Sequence, residues 1–208
     1  MNGSSSECQG TVYVVDDDAE LRQSLRCLIE TVGLRVRTFG CADEFLRNLK
    51  PDVIGCLVLD VRMPGQSGIE LQEQLNNDLI DLPVILLTGY ADVPMAVQAM
   101  RAGAFDIVQK PFSHQALLDR ISHAIAKHSA SQRKRQVLDD IRRRFLLLSE
   151  GEREVLELLG IGKSSNEIAA ALKLSRRAIE VRRKKVVCKM EADSLAELIR
   201  MTIQLEQN

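Results

Sequence analysis

Three consecutive carboxylates, Asp16, Asp17 and Asp18, follow directly on the apolar, β-branched run TVYVV. Two carboxylates about 4 Å apart repel by roughly 4 kcal/mol at an effective dielectric near 20, so something must offset their crowding. Taken alone the triplet can be bland, with Asp18 capping the next helix while Asp16 and Asp17 face solvent. Three more residues of the right chemistry sit where apolar runs stop: Asp60 after GCLVL, Thr88 at the end of PVILLT, and Lys110 just before Pro111. Clustered carboxylates suit Mg²⁺, a hard cation that takes oxygen ligands and keeps several waters. A carboxylate beside Mg²⁺ can attack phosphorus to give an aspartyl phosphate, with Lys110 offering a cation and Thr88 a hydroxyl to the phosphoryl oxygens. That chemistry requires a scaffold that gathers these positions.

Five short apolar runs read as strands: TVYVV (11–15), RVRTF (35–39), GCLVLD (55–60), PVILLT (83–88) and DIVQK (106–110). Helical stretches separate them. Leu21, Leu25, Leu28 and Val32 form one face of the first, with Gly33 where its C-terminal cap falls. Ile69, Leu71 and Leu75 mark a later helix, and Pro94 opens another whose face is Ala96, Val97 and Met100 and which stops at Gly103. Strands 1, 3 and 4 are apolar on both sides, as a parallel sheet covered by helices on both faces requires. With right-handed crossovers, the expected fold is a doubly wound, flavodoxin-like five-stranded sheet of order 2-1-3-4-5. Its ligand crevice lies outside the carboxyl ends of strands 1 and 3, where Asp16, Asp17 and Asp60 would meet.

The net charge of −1 conceals a division: residues 1–128 carry 11 Lys and Arg against 17 Asp and Glu, whereas 129–208 carry 17 against 12. Phe112 to Glu150 contains neither Gly nor Pro, so the last helix of the acidic half can run on as a long arm, with Leu117, Ile121, Ala124 and Ile125 on one apolar face and Leu138, Ile141, Phe145 and Leu148 on another. Between them KHSASQRKRQ (127–136) is polar all round, a solvated spacer or a bend, and His114, His123 and His128 read as surface residues without catalytic role. The basic half reads as four short helices. Ser149 and Glu152 have capping-box spacing, and NEIAAALK followed by LSRRAIEVRRKKV is a helix-turn-helix pattern with Ser175 as the N-cap of its second helix. On that helix Arg176, Arg177, Arg182, Arg183, Lys184, Lys185 and Lys189 crowd around one Glu180, while Ala178, Ile179, Val181, Val186 and Met190 keep an inner face. Seven cations on the element that enters the major groove point to double-stranded DNA.

No apolar run approaches the length of a bilayer span, and the polar start MNGSSSECQG predicts a cytoplasmic protein with a frayed N-terminus over 1–10. Five widely spaced cysteines without a CxxC fit neither a disulfide framework nor a zinc site. Two other motifs fail: GIGKSS (160–165) has Glu157 where a Walker A loop needs Gly, and Asp16 and Asp18 have a phosphatase-like DxD spacing with Glu20 in the wrong place, so an enzyme is not expected.

The stretches VVDDD, LVLDVRMPGQSGIEL and VILLTGYADVPMAVQAMRAGAFDIVQKPF, in that order, resemble the receiver domain of two-component response regulators. LSEGEREVLELLGIGKSSNEIAAALKLSRRAIEVRRKKV resembles the LuxR-type DNA-binding domain, so the whole chain is similar to the FixJ/NarL-type regulators. The resemblance implies a receiver over 11–126, a helical linker over 127–146 and a DNA-binding domain over 147–208. It implies Asp60 as phosphoacceptor for a histidine kinase, and Mg²⁺ held by Asp17, Asp60 and the backbone carbonyl of Arg62, with Asp16 on a metal-bound water. Thr88 and Lys110 would read the phosphoryl group, and the Lys110–Pro111 bond would be cis. Phosphorylation would promote a homodimer through the face of roughly 94–110, binding to promoter DNA and control of transcription, with RNA polymerase a further partner; the alternative is a constitutive DNA-binding regulator whose receiver acts without phosphorylation. The chain departs from the pattern at Ile107, where receivers carry an inward-turning Tyr or Phe: either a core aliphatic fills the same pocket without rotating far, or the response to phosphorylation is muted. It departs again at Arg182 (commonly His), Ala178 (commonly Thr) and Glu150–Gly151 (commonly Pro-Arg). Leu195, Leu198, Ile199 and Thr202 on the last helix are by resemblance a dimer face, a pattern that fits an internal core equally well.

Overall fold

The computed structural model describes residues 10–50, 53–89 and 93–206. The N-terminal expectation for 1–10 lies, except for Gly10, outside the described residues. The chain divides into two compact units, Met1–Gln132 and Arg133–Asn208.

The first unit alternates strand and helix: β1 (Thr11–Val15), α1 (Ala19–Glu30), β2 (Arg35–Phe39), α2 (Ala42–Asn48), β3 (Gly55–Asp60), α3 (Gly68–Asn77), β4 (Val84–Thr88), α4 (Val93–Arg101) and β5 (Asp106–Gln109). The strands form one parallel sheet in the order β2-β1-β3-β4-β5, the topology expected from the alternation. Because successive strand residues point to opposite faces, each central strand feeds two cores. Tyr13, Val15, Leu57, Leu59 and Leu86 pack with Phe39, Phe45, Leu71, Leu75 and Ala99 on one side. Val12, Val14, Val58, Ile85 and Leu87 pack on the other with Leu25 and Ile29 of α1 and with Leu117, Ile121 and Ala124 of α5 (His114–Leu146). Burial on both faces explains why these strands read as unbroken apolar runs.

Two expected helix faces are corrected. Helix α1 ends at Glu30 with Thr31 as C-cap, so Val32 falls beyond it and is 51% exposed, while Ile29 takes the core position. Gly33 adopts φ 76 two residues past that cap. On α4 the buried residue is Ala99, flanked by half-buried Met95 four residues before it and buried Ala102 just past the end of the helix, which leaves Val97 and Met100 exposed. The two alanines carry a weaker hydrophobic signal than the valine and methionine that mislead the eye.

Residues 127–136, the polar stretch, are helical and belong to α5. His128 is not a surface residue: it is 3% exposed, and its Nδ1 lies 3.1 Å from the Gly55 amide and 3.0 Å from the Gly55 carbonyl. Gly55 starts β3 before β4 begins to pair at Leu57, so the imidazole fills a place that no strand occupies. His114 and His123 are exposed as expected, His123 edge-on to Phe105.

The second unit packs α6 (Glu150–Gly160), α7 (Ser165–Leu172), α8 (Arg176–Met190) and α9 (Leu195–Glu206) with the last turns of α5 around Ile141, Leu148, Val155, Leu159, Ile168, Ile179, Val186, Met190 and Leu198. Glu152 accepts from the Ser149 amide at 2.9 Å, and Ser175 accepts from the Ala178 amide at 3.2 Å, so both expected helix starts are present. Leu198 belongs to this core rather than to an outer face. Among the described residues Cys27, Cys41, Cys56 and Cys188 are free thiols, and burial pushes Cys56 up to about 12.

Candidate functional site

The carboxyl ends of β1, β3, β4 and β5 bring together the residues singled out from the sequence. Asp16 follows β1 and is 1% exposed; Asp60 ends β3 and is 6% exposed. Lys110, one residue past β5, bridges them: its Nζ lies 2.5 Å from Asp60 Oδ1 and 3.0 Å from Asp16 Oδ2. The other oxygen of each carboxylate accepts a main-chain amide, Asp16 from Asp18 at 2.9 Å and Asp60 from Arg62 at 2.7 Å. Thr88 is buried at the end of β4, and its carbonyl accepts from the Lys110 amide at 2.7 Å, which ties β4 to the lysine. Asp17 is exposed at the mouth, and Asp18 turns away to cap α1 by accepting from Glu20 and Leu21. The triplet is therefore divided between site and cap. The Lys110–Pro111 bond is cis.

Burial pushes the Asp16 carboxyl above its usual range, outweighing the Asp18 amide and Lys110, and the nearby Asp60 charge adds to the rise. Burial by itself would depress the Lys110 ammonium, but its bonds to Asp60 and Asp16 outweigh that and hold it above its ordinary value. Two buried acids share one cation, which leaves the pocket short of positive charge and lined by oxygen. This donor set fits a hard divalent cation, which needs only one or two carboxylates beside its waters. Among the described residues no three acidic, imidazole or thiol groups converge closely enough to hold an ion by themselves; the oxygens at the crevice are those of the buried Asp16–Asp60 pair, with exposed Asp17 beside it.

Two neighbours shape the site without a signal in the sequence pattern. Arg22, one turn into α1, donates from Nη1 to the Asp16 carbonyl at 2.6 Å. Gly68 lies so close under the end of β3 that a Cβ there would sit 2.2 Å from the Asp60 carbonyl oxygen, so only glycine lets α3 start against that strand end. Ile107 is half-buried and packs against the core beneath.

On α8 the seven cations separate into two groups. Arg176, Arg177, Lys184 and Lys185 are exposed. Arg182 is half-buried and donates to the Gly151 carbonyl at 3.3 Å, Arg183 reaches Ser165 Oγ at 3.4 Å, and Lys189 Nζ lies 2.6 Å from Glu152 and 3.0 Å from the Leu147 carbonyl. The bond from Lys189, with help from the Ser149 amide, pulls the Glu152 carboxyl down to about 2. Arg182 and Gly151, both departures from the family pattern, touch one another: a Cβ at 151 would come within 2.5 Å of Arg182 Nη1. Val181, expected on the inner face, is 48% exposed because Ile179, Val186 and Met190 define the buried stripe.

A buried aspartate bridged to a lysine at the switch point of a parallel sheet, on a chain that also carries a cation-rich helix-turn-helix, defines a class. Residues 12–122 match the response regulator receiver domain, and residues 146–202 match the bacterial regulatory proteins of the luxR family. The chain belongs to the response regulators that join a receiver to a LuxR-type DNA-binding domain, and it is a transcriptional regulator of the FixJ type. Nodulation protein W of Bradyrhizobium diazoefficiens is 41% identical over 92% of this chain and 84% of its own length. The transcriptional regulatory protein FixJ of the same organism is 41% identical over 94% and 96%. Among solved structures, the response regulator StyR aligns with a TM-score of 0.88 at 40% identity, covering 94% of this chain and 99% of its own. Full-length FixJ from B. japonicum aligns at 0.59 and 40% identity over 96% and 98%.

Proposed function

We propose that Asp60 accepts a phosphoryl group from a histidine kinase and that the phosphorylated receiver, over 11–126, governs DNA binding by residues 147–208 through the helical linker 127–146. The observation that carries this reading is the Lys110 ammonium held between Asp60 and Asp16 at the crevice. In the transfer an Asp60 carboxylate oxygen forms a bond to phosphorus as the phosphorus–nitrogen bond of the phosphohistidine breaks, and the electron pair returns to the imidazole. Lys110 meets the incoming phosphoryl charge, and the Thr88 hydroxyl binds one of its oxygens. Asp17, Asp60 and the Arg62 carbonyl would hold Mg²⁺, with Asp16 on one of its waters. When bound, that ion offsets the charge of the carboxylates and the phosphoryl group. Intact mass after incubation with acetyl phosphate and Mg²⁺ tests the acceptor: a phosphoryl adduct on the wild type and none on Asp60→Asn is expected, and an equal adduct on both would contradict it.

Phosphorylation shifts the receiver between two states, with Thr88 and Ile107 as the switch pair, and favours a homodimer through α4 and β5. Moving an equilibrium from 1:99 to 99:1 takes about 5.5 kcal/mol of differential stabilisation. The exposed Val93, Val97 and Met100 on α4 support that face as the contact. Light scattering with and without beryllofluoride tests it, and a mass that stays monomeric in both contradicts it. The dimer presents two copies of α8 to a twofold promoter site, with Ser175, Arg176, Arg177, Lys184 and Lys185 at the DNA and Arg182, Arg183 and Lys189 supporting the helix from behind. RNA polymerase is the downstream partner.

A further inference from the structure

We propose that Arg144, on the last turn of α5, is a positioning residue for DNA recognition: it locks the C-terminal end of α8 in place so that α8 meets base edges at a fixed angle. This rests on α8 being the DNA-reading helix. The final carbonyls of any helix lack intrahelical donors and carry partial negative charge. At the end of α8 the Glu191 amide takes the Cys188 carbonyl and the Ala192 amide takes the Val187 carbonyl. The Met190 carbonyl is taken by Arg144 Nη1 at 3.2 Å. Glu191 is left-handed, with φ 51 and ψ 41, a conformation that L residues other than glycine adopt at a cost. Arg144 Nη2 also lies 2.9 Å from the Glu191 carboxylate. Lys189, in the last turn of α8, reaches the other way, to the Leu147 carbonyl just past α5 and to Glu152. Two cations thus cross between the same two chain segments in opposite directions, over a core of Ile141, Leu148 and Met190.

Phosphate contacts tolerate a loosely held helix, whereas hydrogen bonds to base edges do not. Loosening the far end of α8 should therefore lower sequence-specific affinity and leave non-specific affinity alone. The test uses the full-length phosphorylated chain. One probe is the duplex that the wild type enriches from a random-sequence pool, and the other is a scrambled duplex of equal length. Arg144→Met, which keeps the aliphatic stem, should lose about tenfold on the enriched duplex, the scale of one charge-assisted hydrogen bond, and nothing on the scrambled one. The slope of affinity against salt should not change, because no phosphate contact is removed. Arg144→Lys, which can still cap one acceptor, should recover part of the loss. Wild-type affinity on both duplexes, an equal loss on both, a salt slope smaller by about one, or melting of both variants below the assay temperature would each overturn the inference. If the wild type enriches no sequence, the DNA-binding reading fails first and the inference falls with it.

Discussion

Lys110 holds two buried carboxylates at once, so its loss leaves Asp16 and Asp60 facing each other without a cation. Lys110→Met is expected to lower stability by about 1–3 kcal/mol at neutral pH, a partly exposed pair being worth less than a fully buried one. Burial already raises Asp16, so its ionised form is the one that the fold disfavours. Protonation relieves the repulsion, and the loss in Lys110→Met should shrink as pH falls toward the raised pKa of Asp16. Urea unfolding at neutral and mildly acidic pH checks this, and an equal loss at both would sink it. Gly68→Ala should cost about 2–3 kcal/mol, because the new methyl meets the Asp60 carbonyl, main chain that cannot move without shifting β3. Denaturant midpoints measure it, and an unchanged midpoint contradicts the close approach. Asp16, Asp60, Thr88 and Lys110 were legible because each lies at the end of an apolar run, and the topology sends those ends to one place. His128 and the Gly151–Arg182 contact were not, since periodicity carries no information about partners far apart in sequence, and Arg22 was not because its bond goes to a main-chain carbonyl, which leaves no mark on the pattern of side chains.

At the scale of elements, the strands and their order were readable because burial on both faces leaves an unmistakable run of β-branched and aliphatic residues. Helix faces were less so. Small Ala99 on α4 and Ala102 just past its end define the packed side, while the more apolar Val97 and Met100 are exposed. On α8 the same confusion placed Val181 inside. The α6–α8 contact makes a prediction of its own. Glu152 titrates at about 2 because of Lys189 and the Ser149 amide. An acid lowered on folding contributes stability above its ordinary value, and that contribution disappears as pH falls through the ordinary value toward the lowered one. Glu152→Gln should therefore destabilise the second unit at about pH 6 and flatten its stability curve at about pH 2–4. Far-ultraviolet circular dichroism in urea across that range checks it, and a variant whose curve keeps the wild-type slope contradicts the assignment.

Across the whole chain, the −6 of residues 1–128 goes with the receiver domain and the +5 of residues 129–208 with the LuxR-type DNA-binding domain. If Lys184 and Lys185 neutralise phosphates, replacing both with Met should reduce the salt slope of DNA binding by about 1.8 and weaken all sequences alike. An unchanged slope would move the contact elsewhere. The claim that joins the two halves is that phosphate on Asp60 governs binding by α8. The direct measurement is a titration of promoter DNA with the wild type and Asp60→Asn, each before and after acetyl phosphate. Tighter binding on phosphorylation in the wild type alone is the expected result. Equal binding in all four samples, with the adduct present on the wild type, would contradict the account and leave a DNA-binding regulator whose receiver is phosphorylated without consequence.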